Sequence, residues 1–208
     1  MAMTRSERTQ QKILSAAGML FLKNGFAGTS MDDVAACAEV SKQTVYAHFR
    51  AKEALFLAVV LSMTGSAGDR VQEEVADPPI DRDIDTFLLD FAVSQLKIVM
   101  TPQLMQLRRL VIAEVDRFPE LGKALHEQGP GRSIRRLASA FAAYSAAGAL
   151  SVRQPETAAA HFNWLVMGAP VNDAMLLGDA SIRDSAALRA HAEEAVRIFM
   201  AAYGPANK

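Results

Sequence analysis

The chain is 208 residues long, 50% apolar and 22% charged, with a net charge of −1 and a single cysteine, Cys37. That length and composition describe a globular protein of one large domain, or of a small domain fused to a larger one, and exclude a disordered chain. The near-zero charge excludes a protein that coats nucleic acid through bulk electrostatics, and one cysteine excludes an intrachain disulfide framework and fits a reducing, cytoplasmic setting.

No secretory signal is expected, because Met1-Ala-Met-Thr-Arg leads into polar residues, and the longest apolar run (54–63) is about half of a membrane span. Charge is unevenly placed. Residues 1–56 carry seven basic against five acidic side chains, and the remainder 15 against 18. A mildly basic head on an acidic body suits a specific DNA reader with a second task.

Apolar residues recur at spacings of three and four throughout, which predicts an all-α fold. The first helix is expected over 4–23, with Ile13, Ala16, Ala17, Leu20 and Phe21 on one face, ended by Asn24-Gly25 with Phe26 folding back. Thr29 or Ser30 caps a second helix with Asp32 or Asp33 near the capping-box position, and Val34, Ala35 and Ala38 facing in. Ser41 caps a third, anchored by Val45 and Phe49. A fourth is expected from Lys52 to about Val75, then a loop at Asp77-Pro-Pro-Ile-Asp81. Further helices are expected over 83–100, 102–116, 120–128, 133–149, 155–177 (interrupted at Gly168-Ala-Pro170) and 184–203.

Residues 29–56 carry the most specific signal. Behind the Ser41 cap, Lys42, Gln43 and Thr44 occupy the first turn of the third helix, where a helix-turn-helix recognition helix meets base edges. Gln43 can pair with adenine N6/N7, and the Thr44 methyl can touch a thymine methyl. Tyr46, His48 and Lys52 suit phosphate oxygens, while Thr29 and Ser30 lie at a helix amino end that offers free N–H groups to phosphate.

These residues stand in a wider pattern: Ile13-Leu-x-Ala-Ala, Phe21, Asn24-Gly25-Phe26, Thr29-Ser30-Met31, Val34-Ala35, Val40-Ser41, Thr44-x-Tyr46-x-His48-Phe49 and Lys52-Glu53-x-Leu55. The pattern resembles the N-terminal domain of TetR/AcrR-type bacterial transcriptional regulators. It departs from that family at Glu39, where glycine is usual, and at Ala51, where a capping Ser or Asn is common. The segments Arg109-Leu-Val-Ile-Ala-Glu114, Phe118-Pro119-Glu120-Leu121 and Ala195-Val-x-x-Phe199-x-x-x-Tyr203-Gly204 resemble the C-terminal domain of one branch of the same family.

The resemblance implies a helix-turn-helix DNA-binding domain over 1–56 and a larger helical ligand-binding and dimerisation domain over 57–208. It also implies a homodimeric repressor that occupies a pseudo-palindromic operator on double-stranded DNA and is released by a small, mainly apolar effector. Pocket candidates are Phe87, Phe91, Met100, Met105, Leu110, Phe141, Trp164 and Met167, with His161 or Asn163 as orienting polar groups. Broad apolar stripes suggest burial on two sides and place Ala158, Phe162, Leu165, Ala192, Ala195, Val196, Phe199 and Ala202 at a dimer seam, with one thick core inside a single chain as the alternative. No metal or cofactor is expected, since His126 and His161 have no ligand spacing, and no membrane partner. An activator or a protein-binding adaptor are the rival readings. An enzyme finds no nucleophile–base pair, the nearest feature being His126 beside Gly129-Pro-Gly131.

Overall fold

The computed structural model describes residues 3–75 and 83–205; the loop expected at 77–81 lies outside them. Every regular element among the described residues is helical: α1 (Arg5–Asn24), α2 (Met31–Cys37), α3 (Lys42–His48), α4 (Lys52–Glu74), α5 (Ile84–Val99), α6 (Pro102–Glu114), α7 (Pro119–Gln128), α8 (Pro130–Ala146), α9 (Pro155–Leu177) and α10 (Ser185–Tyr203), with a 3-10 turn at Asp179–Ser181. The all-α expectation is met, with helix ends displaced by a few residues.

Two of the displacements have clear physical causes. α8 begins at Pro130, three residues before the expected Ser133. Proline is pre-organised for the first helical position, where its missing N–H removes a donor that has no helical partner anyway. α9 runs unbroken through Pro170, where an interruption was expected. Pro170 has no N–H, so the Val166 carbonyl loses its helical donor, and His191 Nε2 on α10 donates to that carbonyl at 2.9 Å. The long-range partner keeps the helix intact, and it also fixes the proton of His191 on Nε2.

The chain forms two compact units, Met1–Thr64 with Gln106–Leu125, and Gly65–Met105 with His126–Lys208. The division expected at residue 56 therefore differs in two ways. The first unit includes α4 as far as Thr64 and recruits most of α6 and α7. The reason is visible in the packing: Phe21, Phe26 and Phe56 form a ring cluster with centroids 4.8–6.0 Å apart, and Phe118, between α6 and α7, sits edge-on to Phe26 at 5.2 Å. Aromatic pairs in this geometry contribute about 0.5–1.5 kcal/mol beyond their buried area.

α4 is long and apolar enough to cross a membrane by length and composition, which the shorter 54–63 stretch did not suggest. Its Leu55, Phe56, Val59 and Val60 are closed off in the first unit, as in the core helix of a folded domain.

In the second unit α8 packs on α9, and α10 on α5 and α9. The centre is aromatic: Phe199 lies 5.0 Å from Phe141, 5.1 Å from Phe162 and 4.8 Å from Tyr203. Phe87, Phe91, Met100, Met105 and Met167 belong to the same buried cluster.

Candidate nucleic-acid interface

Local hydrogen bonds build the helix-turn-helix. Ser30 Oγ accepts from the Asp33 N–H at 3.1 Å, and the Asp33 carboxylate accepts from the Ser30 N–H at 3.0 Å and from its hydroxyl at 2.6 Å. This is a reciprocal capping box that satisfies donors at both ends of the first turn of α2. The Ser30 hydroxyl, and then its N–H, hold the Asp33 carboxyl below its ordinary pKa. α2 ends in a turn through Glu39, whose φ of 55° makes it the one described non-glycine residue in the left-handed region. A side chain there costs about 1–2 kcal/mol, which explains why glycine is usual at this point.

Ser41 starts α3 by accepting from the Thr44 N–H at 3.0 Å, and its hydroxyl lies 2.8 Å from that of Thr44. Val45 and Phe49 are buried, one turn apart, and fasten the helix to the first unit. The opposite arc is open: Lys42, Gln43 and Tyr46 are exposed, and Thr44 and His48 half-buried. Lys42 Nζ sits 2.7 and 2.9 Å from the two carboxylate oxygens of Asp32, and hydrogen bonding to that carboxylate raises its pKa. Ala51 accepts the first backbone bond of α4, from Leu55 at 3.1 Å, and its methyl offers no cap.

Two of the expected DNA contacts are placed differently. Thr29 is 1% exposed, and its hydroxyl donates to the Gly25 carbonyl at 2.9 Å. It closes the α1–α2 turn from inside and does not present its side chain to a ligand. Lys52 donates to the Phe26 and Thr29 carbonyls at 2.8 and 2.9 Å, and its ammonium lies 4.4 Å over the Phe26 ring. Two of its three N–H groups thus tie the start of α4 to the α1–α2 turn. Neither bond could be read from sequence, because both acceptors are backbone carbonyls more than twenty residues away.

The second unit also redistributes the expected residues. Of the pocket candidates, Phe87, Phe91, Met100, Met105, Phe141 and Met167 are buried together. Trp164 is 45% exposed and His161 is exposed with Nδ1 2.6 Å from the Tyr203 hydroxyl, so neither faces that core. Leu110 falls in the first unit. Between the two orienting groups left open by sequence, the core contains Asn163, with Gln95 beside it. Gln95 is not among the expected residues, although it is the uncharged amide of an otherwise apolar stretch, Ala92 to Ile98, broken only by Ser94 and Lys97.

The expected dimer seam is corrected most. Ala158, Phe162, Ala192, Ala195, Val196 and Phe199 are all buried within the single chain. Their stripes pack α9 and α10 on each other and on α5 and α8, so one core accounts for them. Only Leu165, half-buried, and Ala202 retain outward surface. The large apolar side chains that α9 and α10 do expose are Trp164, Leu176, Leu177 and Ile198.

A capped, seven-residue α3 with its apolar side anchored and its polar arc open, behind a turn from α2, defines a helix-turn-helix DNA-binding protein. Residues 13–59 match the model of the tetR family of bacterial regulatory proteins, and residues 86–205 match the C-terminal domain of AefR-like transcriptional repressors. The chain belongs to the TetR family of transcriptional regulators, a family of regulators and not of enzymes.

Among solved structures, it is similar to a TetR-family transcriptional regulator from Mesorhizobium loti MAFF303099, at 36% identity and a TM-score of 0.90, covering 97% of this chain and 100% of that one. It is also similar to the flavonoid-responsive regulator FrrA, at 33% identity and a TM-score of 0.78, covering 96% and 99%. A curated relative is the transcriptional regulator UidR of Escherichia coli K12, 36% identical over 72 residues, which are 35% of this chain and 37% of UidR. The matched stretch thus spans little more than a third of that relative.

Proposed function

We propose that the protein is a homodimeric repressor that binds a pseudo-palindromic operator and leaves it when a small, mainly apolar effector enters the second unit. The observation that carries this reading is the open polar arc of α3. Gln43 is exposed on the first turn, with no side-chain hydrogen bond among the described residues, and there it can offer a bidentate pair to adenine. Thr44 and Lys42 flank it as further base-edge candidates, and Lys42 reaches DNA only by releasing or sharing Asp32. Tyr46, His48, Ser30 and Ser41 are assigned to phosphates. Lys52 acts first as a clamp, with one N–H left for phosphate.

Pairing of two copies is assigned to the exposed apolar residues of α9 and α10, Trp164, Leu176, Leu177 and Ile198. A contiguous patch of such side chains is the usual mark of an association surface, and these four are the candidates for one on α9 and α10. Effector control draws support from the largely apolar, methionine-bearing core of the second unit and from the similarity to a flavonoid-responsive regulator. Its thermodynamic content is a difference in effector affinity between DNA-bound and released states, typically about 1–3 kcal/mol.

The test is a gel-shift series on the DNA upstream of the protein's own gene at two salt concentrations. Retardation that weakens steeply with salt is expected. Gln43→Ala should relax discrimination at one base pair by about 1–3 kcal/mol, while Tyr46→Phe weakens all sequences alike. Absence of retardation at low salt would remove the DNA-binding reading. An adaptor would show that silence together with intact folding.

A further inference from the structure

Gln95 on α5 and Asn163 on α9 are 3% and 1% exposed, inside the aromatic core of the second unit. Gln95 Nε2 donates to Asn163 Oδ1 at 3.1 Å, and the pairing stops there. Gln95 Oε1 and Asn163 Nδ2 have no hydrogen-bond partner among the described residues. Two primary amides can close into a ring in which each donates to the other, and this pair has closed only one arm. Exchanging O and N in both amides reverses the existing bond and moves the unpaired atoms to Gln95 Nε2 and Asn163 Oδ1. In either assignment one amide oxygen and one amide NH2 nitrogen are left without a partner.

Buried polar atoms are rarely left in this state, and each such group calls for an explanation. A hydroxyl answers such a pair in the smallest space, because one oxygen both donates a hydrogen bond and accepts. Its surroundings are apolar. Phe91 lies one turn before Gln95 on α5, and Met167 one turn after Asn163 on α9, and both belong to the buried cluster that contains Phe141, Phe162 and Phe199. Rings of this kind receive another ring edge-on or offset, and a methionine side chain can move aside at low cost. The helix can yield at the same place, since α9 lacks the Val166 to Pro170 bond just beyond Asn163 and borrows His191 in its stead.

We infer that the half-closed Gln95–Asn163 amide pair is the polar anchor of the effector site, and that it selects an aromatic molecule bearing a hydroxyl, which inserts into the open side of the pair. The assignment rests on the reading of the second unit as effector-binding. A buried water would satisfy the same two atoms, and the experiment separates the two occupants.

The full chain is titrated calorimetrically with 2-naphthol and with 2-methylnaphthalene, matched in shape and differing in the hydroxyl. Wild type should bind 2-naphthol at least about tenfold more tightly, because a site built to pair a hydroxyl leaves its own polar groups unpaired with the methyl analogue. In the Gln95→Met/Asn163→Leu double variant the ratio should fall to about one with hydrocarbon binding retained. The wild-type comparison stands alone if that variant does not fold. Equal binding of the two probes, or binding of neither, overturns the inference. Equal binding that still releases operator DNA leaves the effector reading standing without the anchor. Preferential 2-naphthol binding that leaves DNA affinity unchanged keeps the anchor and removes the effector reading.

Discussion

The two compact units differ in where their most consequential polar groups lie. In the first, they set the helix ends: Thr4 and Ser30 close capping boxes, Ser41 caps α3, and Lys52 ties down two carbonyls at a turn. In the second, the polar pair that matters, Gln95 and Asn163, lies in the middle of an aromatic core and is half-satisfied. A reading head must hold one shape against a rigid duplex, so its polar groups enforce local geometry. A unit that is to admit a ligand benefits from unmet hydrogen-bonding capacity and adaptable neighbours, at some cost in its own stability. That contrast can be attacked at four points.

The largest effect is expected from Phe199→Ala. With Phe199 1% exposed and packed against three rings, the cavity should cost about 3–5 kcal/mol in urea unfolding. Were Phe199 a seam residue instead, the variant would dissociate with little loss of protomer stability.

Next comes Lys52→Met, which keeps an apolar stem but removes two charge-assisted bonds and the ammonium over the Phe26 ring. A loss of about 2–3 kcal/mol is expected, accompanied by uniformly weaker DNA binding. Unchanged stability would return Lys52 to a simple phosphate contact.

Ser30→Ala breaks the capping box and should cost about 1 kcal/mol at neutral pH. The pH dependence has a definite sign. Asp33 has a folded pKa below its ordinary value, so its contribution is present above about pH 4 and is lost as pH falls through the lowered folded value. Acid titration of stability should therefore narrow the gap between wild type and variant, and a gap that widens in acid would contradict the box.

The smallest effect is a gain. Glu39→Gly relieves the left-handed turn at φ 55° and should raise stability by up to about 1 kcal/mol, the relief being partly offset by the freer unfolded chain. Calorimetric melting of both proteins measures it.

The head was legible because its information is local. Ser30 with Asp33 and Ser41 with Thr44 are three residues apart, Val45 and Phe49 one turn apart, and Gly25 directly follows the last turn of α1. The structure selects Ser30 and Asp33 from the pairs that spacing left open and places the others where it predicted, and Glu39, the departure from the family pattern, has a positive φ. What was misplaced there, Thr29 and Lys52, depends on carbonyls that only the folded turn supplies.

The body was legible only as helices. Periodicity shows that a face is apolar, not what covers it, so the stripes of Phe162, Ala195 and Phe199 read equally well as a seam or as the inside of one chain. The same ambiguity sent Trp164 and His161 inward and left Gln95 unremarked.

By itself, then, the amino-acid sequence determined the all-α class, the helix-turn-helix and the residues on the open arc of α3, since caps, turns and one-turn spacings are set by neighbours along the chain. The tertiary structure alone decided that α6 and α7 contribute to the first unit, that Pro170 is rescued by His191, that Lys52 is a clamp, and that two amides 68 residues apart meet in the core with one arm of their pairing open. Those outcomes rest on side chains meeting across long loops, where burial and hydrogen-bond satisfaction are settled by the whole fold and not by any stretch of it.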